Sequence, residues 1–385
     1  MPAPFTAKEY ASRRRATLRA MAAAGLDGLL LFRPESTCWL TGLHTFGFCF
    51  FQCVYLGGDG RMTLLTRMPD ALTARQTTAL EDIRAWANLP DANPALDLRR
   101  VLEDHRARGL RIGIELDAVG LTARNHQRVA AALDGFCRLE DASDLVTRLR
   151  AVKSQAELRH CRRAGELADA ALVEAIRLTR PGAFEGDILA AMQGAVFRGD
   201  GDYPGNPFII GSGPRAMLGR YVSGRRHLDA RDQLTLEWAG VYRMYHAAMM
   251  RTLLTGEPTR AQRRLHAAAV EAHQASVDCL RPGRSFGEVY DAYARVLDRA
   301  GYRHLGATGY GLGTTFGPSW MDWPMFWQGN EEPIAAGMVL FVHTITWSKD
   351  ERLAQAPGCT YIVTDGEPEP LSRMPLDLVA DGVAV

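Results

Sequence analysis

Four residues suited to proton transfer lie in or beside apolar runs in the second half of the chain: Glu237, His246, Tyr310 and His343. Side chains alternate between the two faces of a β-strand, and this parity assigns each residue a face of its predicted strand. With a turn at Gly240–Tyr245, we expect the four side chains to converge on one cavity. An imidazole titrating near neutral pH can act as general acid or base, and a phenol can donate to a developing oxyanion. We therefore predict that these four residues are catalytic.

Five further residues are predicted to bind a substrate: Arg220, Arg251, Trp320, Asp322 and Trp323. An arginine stays protonated, so it is a poor base but a good partner for a substrate carboxylate. Three tryptophans, Trp320, Trp323 and Trp327, with an aspartate between them indicate an aromatic-walled pocket for a cationic or heterocyclic group.

Each of these residues also has a structural interpretation. The two histidines are also typical of hydrogen-bonded core residues, His246 more so because it lies close to a turn, and Tyr310 of an aromatic ring that fills volume. Arg220 fits a surface ion pair, and the tryptophans fit a loop that they hold in place. The sequence leaves these alternatives open.

The order and framing of three segments resemble the pita-bread family of hydrolases, which includes creatinase, ectoine hydrolase and the Xaa-Pro peptidases. The segments are Gln233–Thr252, Gly309–Gly313 and Gly337–Thr364. In the metallopeptidases of that family, Asp, Asp, His, Glu and Glu bind two metal ions. The corresponding positions of this chain are Glu237, Ala248, Tyr310, His343 and Gly358.

The resemblance implies a site without its metal ions. A dinuclear centre needs bridging carboxylates, and only Glu237 remains of four. A single Zn²⁺ held by Glu237, His246 and His343 is chemically permitted, but it would need an altered geometry. Creatinase and ectoine hydrolase are members that work without metals, so we predict no metal and no other cofactor. Where creatinase has its catalytic histidine this chain has Arg220, so that mechanism cannot be copied across.

Three functional hypotheses follow. The leading one is a metal-independent hydrolase that cleaves a C–N bond in a small amidine, cyclic amidine or amide. The first alternative is a non-catalytic protein that binds a small molecule in the same pocket. The second is a metal-dependent Xaa-Pro peptidase with unusual ligands.

The composition is that of an ordinary globular protein, with 47% apolar and 23% charged residues and a net charge of +1. This charge gives no reason to expect nucleic acid or a membrane surface as a partner. No apolar stretch approaches the roughly 20 residues that span a bilayer. Seven cysteines in no paired spacing indicate reduced thiols. We therefore expect a cytoplasmic protein with a small-molecule substrate.

Two domains are expected, an α/β domain over 1–152 and a second domain over 153–385. In the first domain, Phe48–Leu56 is predicted as a buried strand followed by a Gly-rich hairpin turn. The second domain begins at a capping box, Ser154–Glu157, which opens a long helix.

A Leu/Thr-Arg-Pro-Gly phrase occurs twice, at 179–182 and about 101 residues later at 280–283, each time after a long predicted helix. This favours an internal duplication. The resemblance implies the same layout: a pseudo-twofold antiparallel sheet backed by two pairs of helices, which makes the fold class α+β. It also implies a homodimer, to which the aromatic run Trp39–Phe51 could contribute.

Overall fold

The computed structural model describes residues 4–78, 80–218, 224–302 and 306–385. The chain divides into two units, one that ends at Arg150 and one that spans Ala151–Val385. None of the helices within the described ranges is long and apolar enough to cross a membrane.

The first unit is built on a six-stranded sheet in the order β4-β3-β2-β1-β5-β6. Its strands are β1 Gly28–Leu31, β2 Cys53–Gly57, β3 Met62–Arg67, β4 Asp82–Trp86, β5 Arg111–Ile114 and β6 Arg138–Asp141. Its helices are α1 Ala7–Ala23, α2 Pro34–Thr41, α3 Met68–Thr77, α4 Pro94–Asp104, α5 Ala123–Leu133 and α6 Ser143–Ala151. Strand β2 pairs antiparallel with both β1 and β3, whereas β4, β5 and β6 pair in parallel with their neighbours.

Strand parity divides the core of this unit into two layers. Leu30 contributes to the layer under α4 and α5, whereas Leu29 and Leu31 contribute to the layer under α1, α2 and α3. Helices therefore cover both faces of the sheet, as the alternation of apolar runs predicts. The predicted strand Phe48–Leu56 is shorter than expected. Its first part forms a 3₁₀ turn at Phe46–Cys49, because the hydroxyl of Thr45 accepts the amide of Gly47.

The second unit is built on a ten-stranded sheet that is antiparallel except where β17 pairs with β9. Its longest strands are paired along all their eleven residues, β8 Asp232–Tyr242 with β9 Tyr245–Thr255. The other strands of this sheet are β7 Ile209–Ser212, β10 Gly309–Gly311, β11 Asp322–Met325, β12 Val339–His343, β15 Gly358–Ile362, β16 Glu369–Pro370, β17 Val379–Ala380 and β18 Val383–Ala384. A separate small hairpin joins β13 Thr346–Ser348 to β14 Leu353–Gln355.

Two helix pairs back this sheet: α7 Gln155–Leu178 packs on α8 Glu185–Arg198, and α9 Arg260–Asp278 packs on α10 Phe286–Ala300. Each long helix is followed by a Pro-Gly phrase whose glycine, Gly182 or Gly283, has a left-handed φ. The element order of the two halves therefore repeats as the sequence indicates.

The turn between β8 and β9 is tighter than predicted. It contains only Arg243 and Met244, both with positive φ, as in the type I′ turns that join twisted strands. Gly240 belongs to β8 instead. A Cβ at Gly240 would lie 1.9 Å from the carbonyl oxygen of Ala164 in α7, so glycine is required there by the close approach of the helix.

Candidate functional site

One row of register-paired residues crosses four strands of the second sheet. Glu237 on β8 lies opposite Met250 on β9, Met250 opposite Gly358 on β15, and Gly358 opposite His343 on β12. Paired residues point to the same face, so the carboxylate and the imidazole share the inner face of the sheet. This is the convergence that strand parity predicts for Glu237 and His343.

Tyr310 on β10 joins this face because it pairs with Phe341 on β12. Its hydroxyl donates to Oε1 of Glu237 over 3.2 Å, although four strand steps separate the two residues in the sheet. At about 4.8 Å per strand, a flat sheet would place them about 19 Å apart. The hydrogen bond therefore requires a strongly curled sheet, whose concave face holds the site.

Aromatic rings enclose this hydrogen bond. The ring centroid of His343 lies 5.9 Å from that of Tyr310 and 5.2 Å from that of Phe341. The indole Nε1–H of Trp320 donates to the Tyr310 hydroxyl over 2.8 Å. Trp320 is fully buried, whereas Glu237 and His343 keep 8% and 9% exposure. The Glu237 carboxylate and the His343 imidazole thus keep a slight exposure, whereas the Trp320 indole has none.

His246 lies beside this cluster, but its ring is fully engaged by the protein. Its Nε2 accepts the backbone amide of Gly205 over 2.9 Å, so the ring proton lies on Nδ1, 2.9 Å from the carbonyl of Met244. The hydroxyl of Thr315 also lies 3.0 Å from Nδ1. Complete burial lowers the pKa of His246 to about 4. The structure therefore gives His246 the features of a structural histidine, the alternative that the sequence left open.

Arg251 is not brought to the cluster. It pairs with Leu236 and lies on the opposite face of β9 from Met250. Its guanidinium donates to the backbone carbonyls of Met250, Gly358, Met374 and Pro375. Alternation along the strand explains this placement, since Arg251 is one residue away from the inward-facing Met250. The predicted binding role of Arg251 is corrected to a structural one. Arg220 lies outside the described residues.

The aromatic segment is split between the two faces of the sheet. Trp323 packs, partly buried, against the helix-side core that contains Phe286 and Leu340. Asp322 is buried, and its Oδ1 accepts the amide of Trp323 over 2.9 Å. The indole N–H of Trp320, in contrast, donates to Tyr310 on the inner face. Trp320 and Trp323 therefore lie on different faces and do not form one aromatic-walled pocket around Asp322.

The donor atoms present do not fit a two-metal centre. Ala248 and Gly358 supply no side-chain donor, and a Cβ at Gly358 would lie 3.0 Å from both the Met250 Cβ and the Phe341 ring. The space for a fifth ligand is therefore filled by these two side chains. Across the part of the chain that the structure describes, no group of three or more His, Cys, Asp or Glu residues is arranged to hold a metal ion.

Two residues near the site were missed by the sequence reasoning. Phe341 fills the inner face between Tyr310 and Gly358. Lys153 is buried. Its Nζ and the Oδ2 of Asp322 both lie close to Gly313, at 3.5 Å and 3.8 Å from the position that a Cβ would take there. The composition could have drawn attention to Lys153, because lysine is rare in this chain: it is one of three lysines among 45 Lys and Arg residues.

Comparison with known families places the chain clearly. Residues 159–365 match the model of metallopeptidase family M24, and residues 13–152 match the creatinase/prolidase N-terminal domain. An ectoine hydrolase from Halomonas elongata is 27% identical over 395 aligned residues, which cover 97% of this chain and 98% of that protein. An uncharacterized hydrolase/peptidase from Sinorhizobium fredii is similar to the same extent.

Solved structures show the same fold. A prolidase from Thermococcus sibiricus superposes with a TM-score of 0.87 at 17% identity, covering 96% of this chain and 99% of that one. The predicted fold class is thereby confirmed: an N-terminal domain followed by a C-terminal domain with a curled sheet.

Proposed function

The chain belongs to metallopeptidase family M24 and is a hydrolase, and we propose that it cleaves a C–N bond of a small substrate without metal ions. The proposed substrate class is an amidine, a cyclic amidine or an amide. The observation that best supports the proposal is the hydrogen bond of Tyr310 to Glu237, with His343 alongside. The family resemblance assigns metal ligands to these three positions.

The proposed chemistry follows from the groups on this face. Glu237 accepts a proton from the attacking water, because an ionised carboxylate is an acceptor within the reach of solvent. His343 donates a proton to the departing nitrogen, since an imidazole changes its protonation state near neutral pH. Tyr310 supplies an O–H donor beside the reacting carbon, where charge develops. Arg220 remains the proposed partner for a substrate carboxylate.

The missing donors support the metal-independent part of the proposal. A two-metal site needs bridging carboxylates, and this face retains one carboxylate while Phe341 fills the space beside Gly358. The relative named ectoine hydrolase makes ectoine the first compound to test.

The test is a substrate screen with ectoine, guanidino acids and Xaa-Pro dipeptides on the purified protein. For a compound that is turned over, Glu237→Gln is expected to lower kcat/KM by about 10²–10⁴-fold, the usual contribution of a general base. The matched control is Glu81→Gln, an exposed carboxylate of the first unit, which should leave the rate unchanged. Binding without turnover would support a non-catalytic receptor. Turnover of Xaa-Pro dipeptides that requires added metal would support a peptidase.

We also propose a homodimer. The run Trp39–Phe51 is mostly core, but Phe46 is 72% exposed, and Met68 and Leu72 on the adjoining α3 are exposed as well. Apolar side chains exposed together are typical of an interaction surface. Light scattering should give twice the chain mass, with Leu72→Glu shifting it towards the monomer. A monomeric wild-type protein would rule the dimer out.

A cytoplasmic location is proposed because none of the seven cysteines, which all lie in described parts of the chain, forms a disulfide. Free thiols persist in reducing compartments. Recovery of the protein from a secreted or periplasmic fraction would contradict this location.

A further inference from the structure

We propose that Trp320 is a positioning residue that fixes the direction of the hydrogen bond between Tyr310 and Glu237, with Tyr310 donating and Glu237 accepting. The inference deepens the proposed function and rests on the roles given there to Tyr310 and Glu237. It concerns a residue that the sequence assigned to substrate binding.

The chemistry of the three groups defines the direction. An indole N–H can only donate, and an ionised carboxylate can only accept, whereas a phenol can do both. Trp320 donates to the phenolic oxygen over 2.8 Å, and that oxygen lies 3.2 Å from Glu237 Oε1. With the indole proton directed at its oxygen, the Tyr310 hydroxyl directs its own proton to Glu237.

Burial makes this arrangement selective. Trp320 is fully buried and Tyr310 nearly so, and a buried donor without an acceptor costs about 1–3 kcal/mol. While Glu237 is ionised, turning the Tyr310 hydroxyl towards the indole would set two donors against each other and lose the bond to Glu237. Hydrogen bonds in a chain also polarise one another, so each one strengthens its neighbour.

Trp320 is itself held by a second set of contacts that begins at His246. The ring of His246 accepts the amide of Gly205, and the side chain of the next residue, Asn206, accepts the amide of Trp320 over 3.2 Å. Gly205 packs closely against the same peptide, since a Cβ there would lie 2.8 Å from the Trp320 nitrogen. His246 therefore contributes to the site through the loop that positions Trp320.

This relay has a consequence for the reaction. At rest the single hydroxyl proton of Tyr310 is directed at Glu237. Once Glu237 has taken up a proton from the attacking water, it is a weaker acceptor, and the Tyr310 hydroxyl turns to the developing charge. Trp320 thus keeps the acid and base roles of neighbouring groups distinct without touching the substrate.

The test uses the indole ¹H–¹⁵N resonances of the seven tryptophans in the full-length protein. The Trp320 resonance is identified by its loss in Trp320→Phe. If that variant does not fold, the other six tryptophans are replaced one at a time by phenylalanine, and the resonance that none of these variants removes is that of Trp320. Tyr310→Phe should move this resonance strongly upfield, because the indole loses its acceptor. Glu237→Gln should move it less but in the same direction, since a weaker acceptor polarises the Tyr310 hydroxyl less.

An unchanged Trp320 resonance in Glu237→Gln, or the same small shift in the control Glu81→Gln, would overturn the relay. A second readout is kinetic. Trp320→Phe keeps an aromatic ring but removes the N–H. It should lower kcat about tenfold with little change in KM, because a tenfold change corresponds to the loss of about one hydrogen bond. A change in KM alone would show that Trp320 contacts the substrate instead. The spectra need no substrate, so they can support the relay even if the proposed hydrolysis fails. Conversely, an active enzyme with an unmoved resonance would remove the relay alone.

Discussion

Gly358 shows at the scale of one residue why we propose that this face works without metal ions. It lies in the row between Met250 and His343, and the family resemblance matches its position to a metal-binding glutamate. Here the ring of Phe341 occupies the adjacent space, so that the site is closed by packing as well as by the loss of a donor. Restoring a carboxylate at Gly358 would therefore not by itself restore a ligand.

The close packing at Gly358 predicts that Gly358→Ala destabilises the protein. The added Cβ would lie 3.0 Å from Met250 and Phe341, and overpacking of this kind typically costs about 1–3 kcal/mol. Urea unfolding measures the change in the free energy of unfolding. The control is Gly366→Ala, where the nearest atom to a new Cβ is 3.9 Å away. Equal stability of the two variants would show that Phe341 does not fill the ligand space.

The lowered pKa of His246 predicts that the free energy of unfolding depends on pH. Burial lowers its pKa from 6.5 to about 4, so between these pH values the unfolded chain binds a proton that the folded protein does not. Stability from this group is fully present above pH 6.5 and is lost as the pH falls towards 4. The loss at pH 5 is about 2 kcal/mol.

The measurement compares urea unfolding at pH 7 and pH 5 for the wild type and His246→Gln, which does not titrate. The variant should be less stable at pH 7 and should lose about 2 kcal/mol less on acidification. The buried His273, whose pKa burial lowers to about 3, is present in both proteins and cancels in the comparison. If the wild type and His246→Gln lose the same free energy of unfolding between pH 7 and pH 5, the ring of His246 takes up a proton as readily in the folded protein as in the unfolded chain.

The residue-scale errors of the sequence reasoning have identifiable causes. Parity placed Glu237 and His343 correctly, because alternation is a local property of a strand. The same rule places Arg251, one residue from the inward-facing Met250, on the outer face of β9, away from the substrate that it was predicted to bind. The engagement of His246 with Gly205 could not be predicted, since that contact joins β9 to a loop distant in sequence.

At the scale of elements, α7 determines how closely the helix layer approaches the sheet. The Trp238 indole on β8 donates to the carbonyl of Ala168, and Gly240 lies directly under the helix backbone. The sequence suggested a turn at this glycine because glycine is frequent in turns. A glycine required by a close approach inside a strand has the same sequence signature.

This packing predicts a large effect of Gly240→Ala. A Cβ 1.9 Å from the Ala164 carbonyl would force α7 away from β8 and lower the free energy of unfolding by about 3 kcal/mol or more. Gly194→Ala in α8 is the control, because its Cβ meets only the end of the Arg198 side chain and alanine favours a helix. A mild effect of Gly240→Ala in thermal unfolding would show that the helix and the sheet are less tightly packed than described.

At the scale of the whole molecule, the order of elements was predictable and the state of the site was not. The framing of the three strand segments is enough to identify the family, because glycines and apolar strands define the curled sheet. The hydrogen bonds among Trp320, Tyr310 and Glu237 depend on the curvature of the sheet across five strands. The residue pattern of a single strand does not predict that curvature.

The most direct test of the account is turnover by protein freed of metal. The protein is dialysed against a chelator, its metal content is measured by elemental analysis, and hydrolysis of the substrate found in the screen is then followed with and without Mn²⁺, Co²⁺ or Zn²⁺. The account predicts full activity with far less than one metal ion per chain and no increase on addition, since Glu237, His343 and Tyr310 carry the chemistry. Loss of activity on chelation that any of these ions restores would contradict it.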